Sequence, residues 1–336
     1  MTHTLTHGGQ LQAIAQQYAI PIIQWLDLST GIAPMGYPVG PLPALYWQRL
    51  PQPCPTLLKA AQDYYGSKHL LPIAGSQSLI QILPQICQQH GYANSQVWIP
   101  QVGYKEHQKA WQNAGYRLQL YTDLSELCHV TSGDIVLLIN PNNPSGELLE
   151  HDRANGLYQK LKAKQALLIV DEAFMDCTPQ HSLINALPCD KLIILRSVGK
   201  FFGLAGIRLG FVAASPKWLN LFAQALGPWA INGPAQYVGA QALADNTWQQ
   251  QQRHALTDLS LGLAGLLQQH FNQIPRGTLL FQTIHLPHGP QVFDALCQQG
   301  VYVRLCDEQN ALRFGIPDKQ GLLRLAQVLA LLTVKR

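Results

Sequence analysis

The sequence runs to 336 residues, 47% of them hydrophobic and only 12% charged, with a formal net charge of +4. A chain of that length outgrows a single core, so a large domain with a smaller companion is expected, and its scattered basic groups exclude the charged stripe of a nucleic-acid or membrane-surface binder. No apolar run reaches the roughly 18 residues of a membrane span, the start MTHTLTHGGQ lacks a signal-peptide pattern, and seven cysteines without a CxxC pair read as reduced thiols, so a cytoplasmic protein is expected.

His7-Gly8-Gly9 precedes a helix-like stretch to about Tyr18. Next comes WLDLSTGIAP at 25–34, where Ser, Gly and Pro after a short apolar run mark a turn. Residues 36–55 are rich in proline and read as an extended arm. A helix over 56–65 leads to LLPIAGSQS at 70–78, a strand turning at Gly75 into a helix that reaches about Cys87. Gly75, Ser76 and Gln77 then occupy a helix start, which reads either as an ordinary cap or as an anion site made of free backbone N–H groups. Further strands are expected at 97–100, 117–122, 135–139, 167–170, 192–195 and 209–213, with helices between them. That alternation predicts an α/β fold around a mostly parallel sheet. Helices over 234–271, 290–299 and 319–332, with strands at 278–284 and 301–305, predict a smaller α+β domain. The expected division is an arm over 1–45 that contributes to the small domain, a large domain over 46–230 and a small one over 231–336. None of the 12 histidines stands in an HExxH pattern, and no metal site is predicted.

Three successive strand ends carry candidate chemistry, where open α/β sheets place their ligands. The run at 135–139 enters NPNNPSG with Asn143, the run at 167–170 ends in Asp171-Glu172-Ala173-Phe174, and the run at 192–195 opens RSVGKFFGLAGIRLG. Lys200 alone would read as surface charge. Ser197 and Arg208 flank it with a hydroxyl and a fork of N–H donors suited to phosphate oxygens, and glycines at 199, 203 and 206 allow a close backbone path.

This order of asparagine, aspartate and lysine resembles the fold-type I enzymes that use pyridoxal 5'-phosphate (PLP), in the class I and II aminotransferase group. The resemblance implies a PLP-dependent transferase fold in which Lys200 forms the Schiff base, Asp171 keeps the pyridine nitrogen protonated and Asn143 bonds the ring O3'. It also implies that Gly75, Ser76, Gln77, Ser197 and Arg208 hold the phosphate and that Tyr104 stacks on the ring. Active sites of the group lie at subunit interfaces, so a homodimer is expected.

HGG at 7–9 with LDLSTGI at 26–32 further resembles the L-threonine-O-3-phosphate decarboxylases of cobalamin biosynthesis. On that resemblance the substrate is a phosphorylated amino acid, held by His7, Gly8, Thr30, Gly31, Arg304 and Arg313, with Arg313 of LRFGIP on the α-carboxylate and Arg304 near the substrate phosphate. The chain departs from the group's pattern at Ala33, Leu50, Phe174 and Gly199. Phe174 replaces a tyrosine that bonds O3', and Leu50 replaces one that reaches the partner subunit's cofactor. A histidinol-phosphate-type aminotransferase using the same lysine, and a PLP-fold binding protein without catalysis, remain as alternative readings.

Overall fold

A computed structural model describes residues 8–332, and among them no helix is long and apolar enough to cross a membrane. The strands, in chain order, are β1 (Leu26–Asp27), β2 (Leu70–Ile73), β3 (Gln96–Pro100), β4 (Arg117–Tyr121), β5 (Ile135–Ile139), β6 (Leu167–Asp171) and β7 (Leu192–Ser197). They continue with β8 (Gly210–Ala214), β9 (Arg276–Thr278), β10 (Phe281–His285), β11 (Val301–Tyr302), β12 (Arg304–Leu305) and β13 (Ala311–Gly315). Two compact units form. One holds Tyr37–Asn143 and Leu148–Trp248; the other holds the chain up to Gly36, Pro144–Glu147 and the chain from Gln249 on.

The large unit is built on a seven-stranded sheet in the order β2-β8-β7-β6-β5-β3-β4. Neighbours are parallel except that β8 runs against both β2 and β7. Every residue of β5, β6 and β8 is buried, as a sheet covered on both faces requires. Because β5, β6 and β7 run in the same direction, they bring Asn140, Asp171 and Ser197 to one edge. The asparagine loop is closed at its base by a side chain. Asn140 Nδ2 donates to the Leu149 carbonyl at 2.9 Å and Leu149 N donates to Asn140 Oδ1 at 2.8 Å.

The sequence-based cuts after residues 45 and 230 both fall within the large unit. The helices on either side of those points pack together. Tyr46 of Leu45–Gln48 meets Tyr237 of Gly233–Ala244 with ring centroids 4.7 Å apart, and a Cβ on Gly233 would lie 2.4 Å from the Tyr46 carbonyl oxygen. The arm expected to be extended over 36–55 therefore contains one helical turn.

In the small unit β1 pairs in parallel with β11, and β12-β13-β10-β9 form an antiparallel sheet. The single strand expected at 301–305 is two pieces, since the chain changes partner at buried Val303. Likewise 278–284 is a hairpin, with residues 279–280 turning between β9 and β10. Leu263, Leu296, Leu312, Phe314 and Leu325 lie in its core.

Pro144–Glu147 associates with the small unit through backbone. Thr283 Oγ1 donates to the Pro144 carbonyl at 2.6 Å, and a Cβ on Gly146 would lie 2.3 Å from the Gly277 Cα. Gly146 also has φ +75°, where an L side chain is strained. Gly146→Ala is expected to lower stability by about 2 kcal/mol or more, from strain and collision together. A denaturant midpoint equal to wild type would show that the approach relaxes at no cost.

Candidate active site

Nine side chains or backbone positions singled out in the sequence line one cavity of about 150 Å³ in the large unit: Gly75, Ser76, Gln77, Tyr104, Asn143, Asp171, Ser197, Lys200 and Arg208. They come from the starts of two helices, from the ends of β5, β6 and β7 with the loops that follow, and, for Arg208, from the approach to β8. Ile139, Ala173 and Phe174 supply the remaining, mostly apolar wall.

One end of the cavity suits an anion. The helix Ser76–Cys87 starts there with neither a side-chain cap nor an acidic residue in its first turn, which leaves backbone N–H groups and the positive end of the helix dipole available. Gly75 has φ +74°, and a Cβ on it would lie 2.8 Å from Arg208 Nη2, so only glycine lets the guanidinium lie against this turn. Arg208 is itself left-handed, with φ +55°, a conformation that costs a non-glycine residue about 1 kcal/mol or more. Its Nη1 donates to the Ala205 carbonyl at 3.2 Å, which helps aim the side chain.

The far end holds a buried carboxylate. Asp171 Oδ1 accepts from Ala173 N at 3.0 Å, and Oδ2 lies 2.8 Å from His107 Nε2. A carboxylate only accepts, so that nitrogen of His107 carries the proton. His107 was not singled out in the sequence. It lies one helical turn beyond Tyr104 on Lys105–Asn113, and the Tyr-x-x-His spacing that puts both on one face was the available signal. The two rings meet edge to face at 6.2 Å. Gln77 proves to be a brace: its Oε1 accepts from the Tyr104 hydroxyl at 3.1 Å and its Nε2 donates to Glu106 at 3.0 Å. Lys200 Nζ stands 5.6 Å from the centroid of the Phe174 ring.

Behind this edge lies a buried ion network. Arg196 Nη1 donates to Glu172 Oε2 at 2.6 Å and Nη2 donates to Asp176, while Ser182 Oγ donates to the same Glu172 oxygen at 2.5 Å. Burial pulls the guanidinium pKa down, but the Asp176 and Glu172 carboxylates outweigh it and hold it above the ordinary arginine value. Arg196→Met would leave two carboxylates buried without their cation. A loss of about 3–5 kcal/mol in unfolding free energy is expected, read by urea denaturation.

The second set of candidates lies in the small unit, apart from His7, which is outside the described residues. Arg304 and Arg313 face each other directly across β12 and β13, and like charges so placed are unfavourable unless an anion joins them. Arg304 Nη2 donates to Asp307 at 2.7 Å. Arg313 is buried, lies over the Phe281 ring and donates from Nη2 to the Ser29 carbonyl at 2.7 Å. Gly9 N donates to Ser29 Oγ at 2.8 Å, so the Gly8-Gly9 segment, the Thr30-Gly31 turn and Arg313 meet around Ser29. Arg304 adjoins them through the ladder.

The family model "Aminotransferase class I and II" matches residues 50–329. A threonine-phosphate decarboxylase of Pseudomonas aeruginosa is 40% identical over 94% of each chain, and one from a Sinorhizobium species is 37% identical over 98% of this chain and 99% of its own. The solved histidinol-phosphate aminotransferase of Sinorhizobium meliloti, in complex with pyridoxal-5'-phosphate, superimposes with a TM-score of 0.78 over 98% of this chain and 99% of that one, at 18% identity. That last likeness is one of fold alone. With its α/β architecture and a family match that runs through most of its length, the chain belongs to the class I and II aminotransferase family.

Proposed function

We propose that this protein is a PLP-dependent carboxy-lyase that converts L-threonine O-3-phosphate to (R)-1-amino-2-propanol O-2-phosphate and CO2, the precursor step for the cobalamin linker. The observation that carries the reaction is the end-to-end similarity to threonine-phosphate decarboxylases.

The large-unit cavity fits the cofactor on its own chemistry. It combines an uncapped helix start beside Arg208 and Ser197 for a phosphate, an amine at Lys200 for an aldehyde, and a buried acceptor at Asp171 for a protonated ring nitrogen. Bound PLP would supply an electron sink for the charge left at Cα when the carboxylate departs. Asp171, held by His107 and the Ala173 N–H, would keep the proton at the ring nitrogen. Tyr104 would pack on the ring face, with its hydroxyl anchored by Gln77, and Asn143 would bond O3' alone, because Phe174 brings no hydroxyl. Lys200, which lines the cavity, would hold the cofactor through its amine and would supply the proton returned to Cα. Phe174 and Ile139 give the cavity an apolar wall.

Arg313 would grip the substrate carboxylate, with Arg304 on the phosphate and with His7, Gly8, Thr30 and Gly31 around them. One dianionic and one monoanionic group on the substrate answer the two facing guanidiniums.

PLP-loaded protein incubated with L-threonine O-3-phosphate and no keto acid is expected to release CO2 and aminopropanol phosphate in equal amounts, followed by NMR. Lys200→Ala should abolish both that turnover and the visible absorbance of the lysine-bound cofactor. Amino transfer from histidinol phosphate to 2-oxoglutarate, without CO2 release, would replace this reading with the transaminase.

We further propose a cytoplasmic homodimer. In the large unit Trp47, Leu50 and Trp229 are 69%, 66% and 60% exposed, and large apolar side chains of this kind are what a partner subunit would cover. Trp47→Glu is expected to shift the mass measured by light scattering from dimer to monomer; an unchanged mass would remove Trp47 from the interface.

A further inference from the structure

Ser29 has no role in the reading above, yet the small-unit cluster converges on it. It is completely buried. Its hydroxyl lies 2.6 Å from Asp27 Oδ1, and its backbone N donates to the same oxygen at 2.9 Å. Because a carboxylate only accepts, the hydroxyl proton must point to Asp27, which leaves the Oγ lone pairs for the Gly9 N–H at 2.8 Å. The serine carbonyl meanwhile accepts from Arg313 Nη2 at 2.7 Å.

Three backbone approaches fix the same loop. A Cβ on Gly8 would lie 2.2 Å from the Ser29 carbonyl oxygen, and one on Gly315 would lie 2.1 Å from the Thr30 carbonyl oxygen. Leu28 N donates to the Tyr302 carbonyl at 2.7 Å, which carries β1 pairing onward. Burial and then the neighbouring Asp27 charge hold the Tyr302 phenol above its ordinary pKa, so it stays neutral beside this loop.

We infer that Ser29, oriented by Asp27, is a positioning residue that sets the Gly8-Gly9 backbone and the Arg313 guanidinium in one fixed arrangement for a phosphorylated amino acid. The inference rests on the substrate reading given above. Without the hydroxyl, Gly9 loses its anchor, and the segment bearing Gly8 must be ordered by the substrate itself. That cost falls on binding.

The test uses PLP-loaded holoenzyme and L-threonine O-3-phosphate. Ser29→Ala is expected to raise KM about tenfold, the loss of one charge-oriented hydrogen bond, with kcat within about twofold of wild type. The visible absorbance of the cofactor should not change, since its residues lie in the other unit. Asp27→Ala should raise KM in the same direction. The double variant should be no worse than Ser29→Ala, because two groups acting as one unit are not additive. Should Ser29→Ala fail to fold, Asp27→Ala decides, being altered only at an exposed residue. With an active wild type, an unchanged KM in the variants, or equal loss of kcat and absorbance, overturns the inference alone. A wild-type enzyme inactive on this substrate takes the functional reading down and the inference with it.

Discussion

A fully buried arginine has to be neutralised where it stands, and that requirement governs the working edge of the large unit. Arg196 precedes Ser197 at the end of β7, while Glu172 and Asp176 follow Asp171 at the end of β6. The network thus joins two strand ends one residue away from two groups that line the cavity. A buried cation shared by two carboxylates tolerates little displacement, because each ångström of separation in a poorly polarisable interior costs far more than in water. The relative positions of Asp171 and Ser197 inherit that stiffness, and Tyr65 packs over the guanidinium at 4.7 Å to keep water away.

The small unit solves a related problem with backbone. Its candidate ligands are long arginine side chains, which would lose much rotamer freedom on binding. Arg313 has surrendered most of that freedom beforehand, through burial, the Phe281 ring and the Ser29 carbonyl. Arg304 is held by Asp307, whose own side chain is partly exposed, so that pair fixes it less firmly than a buried one would. One guanidinium is set in advance and its neighbour across the ladder is adaptable.

The parallel sheet was legible in the sequence because buried strands are continuous apolar runs that stop abruptly, and the residues after those stops, Asn143, Asp171 and Lys200, line the cavity together with the predicted helix start at Gly75. What escaped were pairings that depend on a facing element. His107 reads as one more histidine on a polar helix until β6 brings Asp171 beneath it. Ser29 reads as a turn residue until the Gly8-Gly9 segment returns to it. Gln77, expected to serve through its backbone, also spends its amide on Tyr104 and Glu106. The boundaries were obscure for a similar reason. Nothing local at 230 announces that the next helix packs against the turn at 45–48, and nothing at 303 announces a change of strand partner.

The side-chain closure of the asparagine loop carries a further consequence. By pairing with both backbone groups of Leu149, Asn140 imitates one rung of a β-ladder across a gap of eight residues. The excursion that carries residues 144–147 into the other unit thus begins and ends at one side-chain closure. Part of the entropy of closing that loop is met there. The tip itself is constrained by the close approach of Gly146 to Gly277, so the loop that carries Asn143 is held both at its base and at its tip.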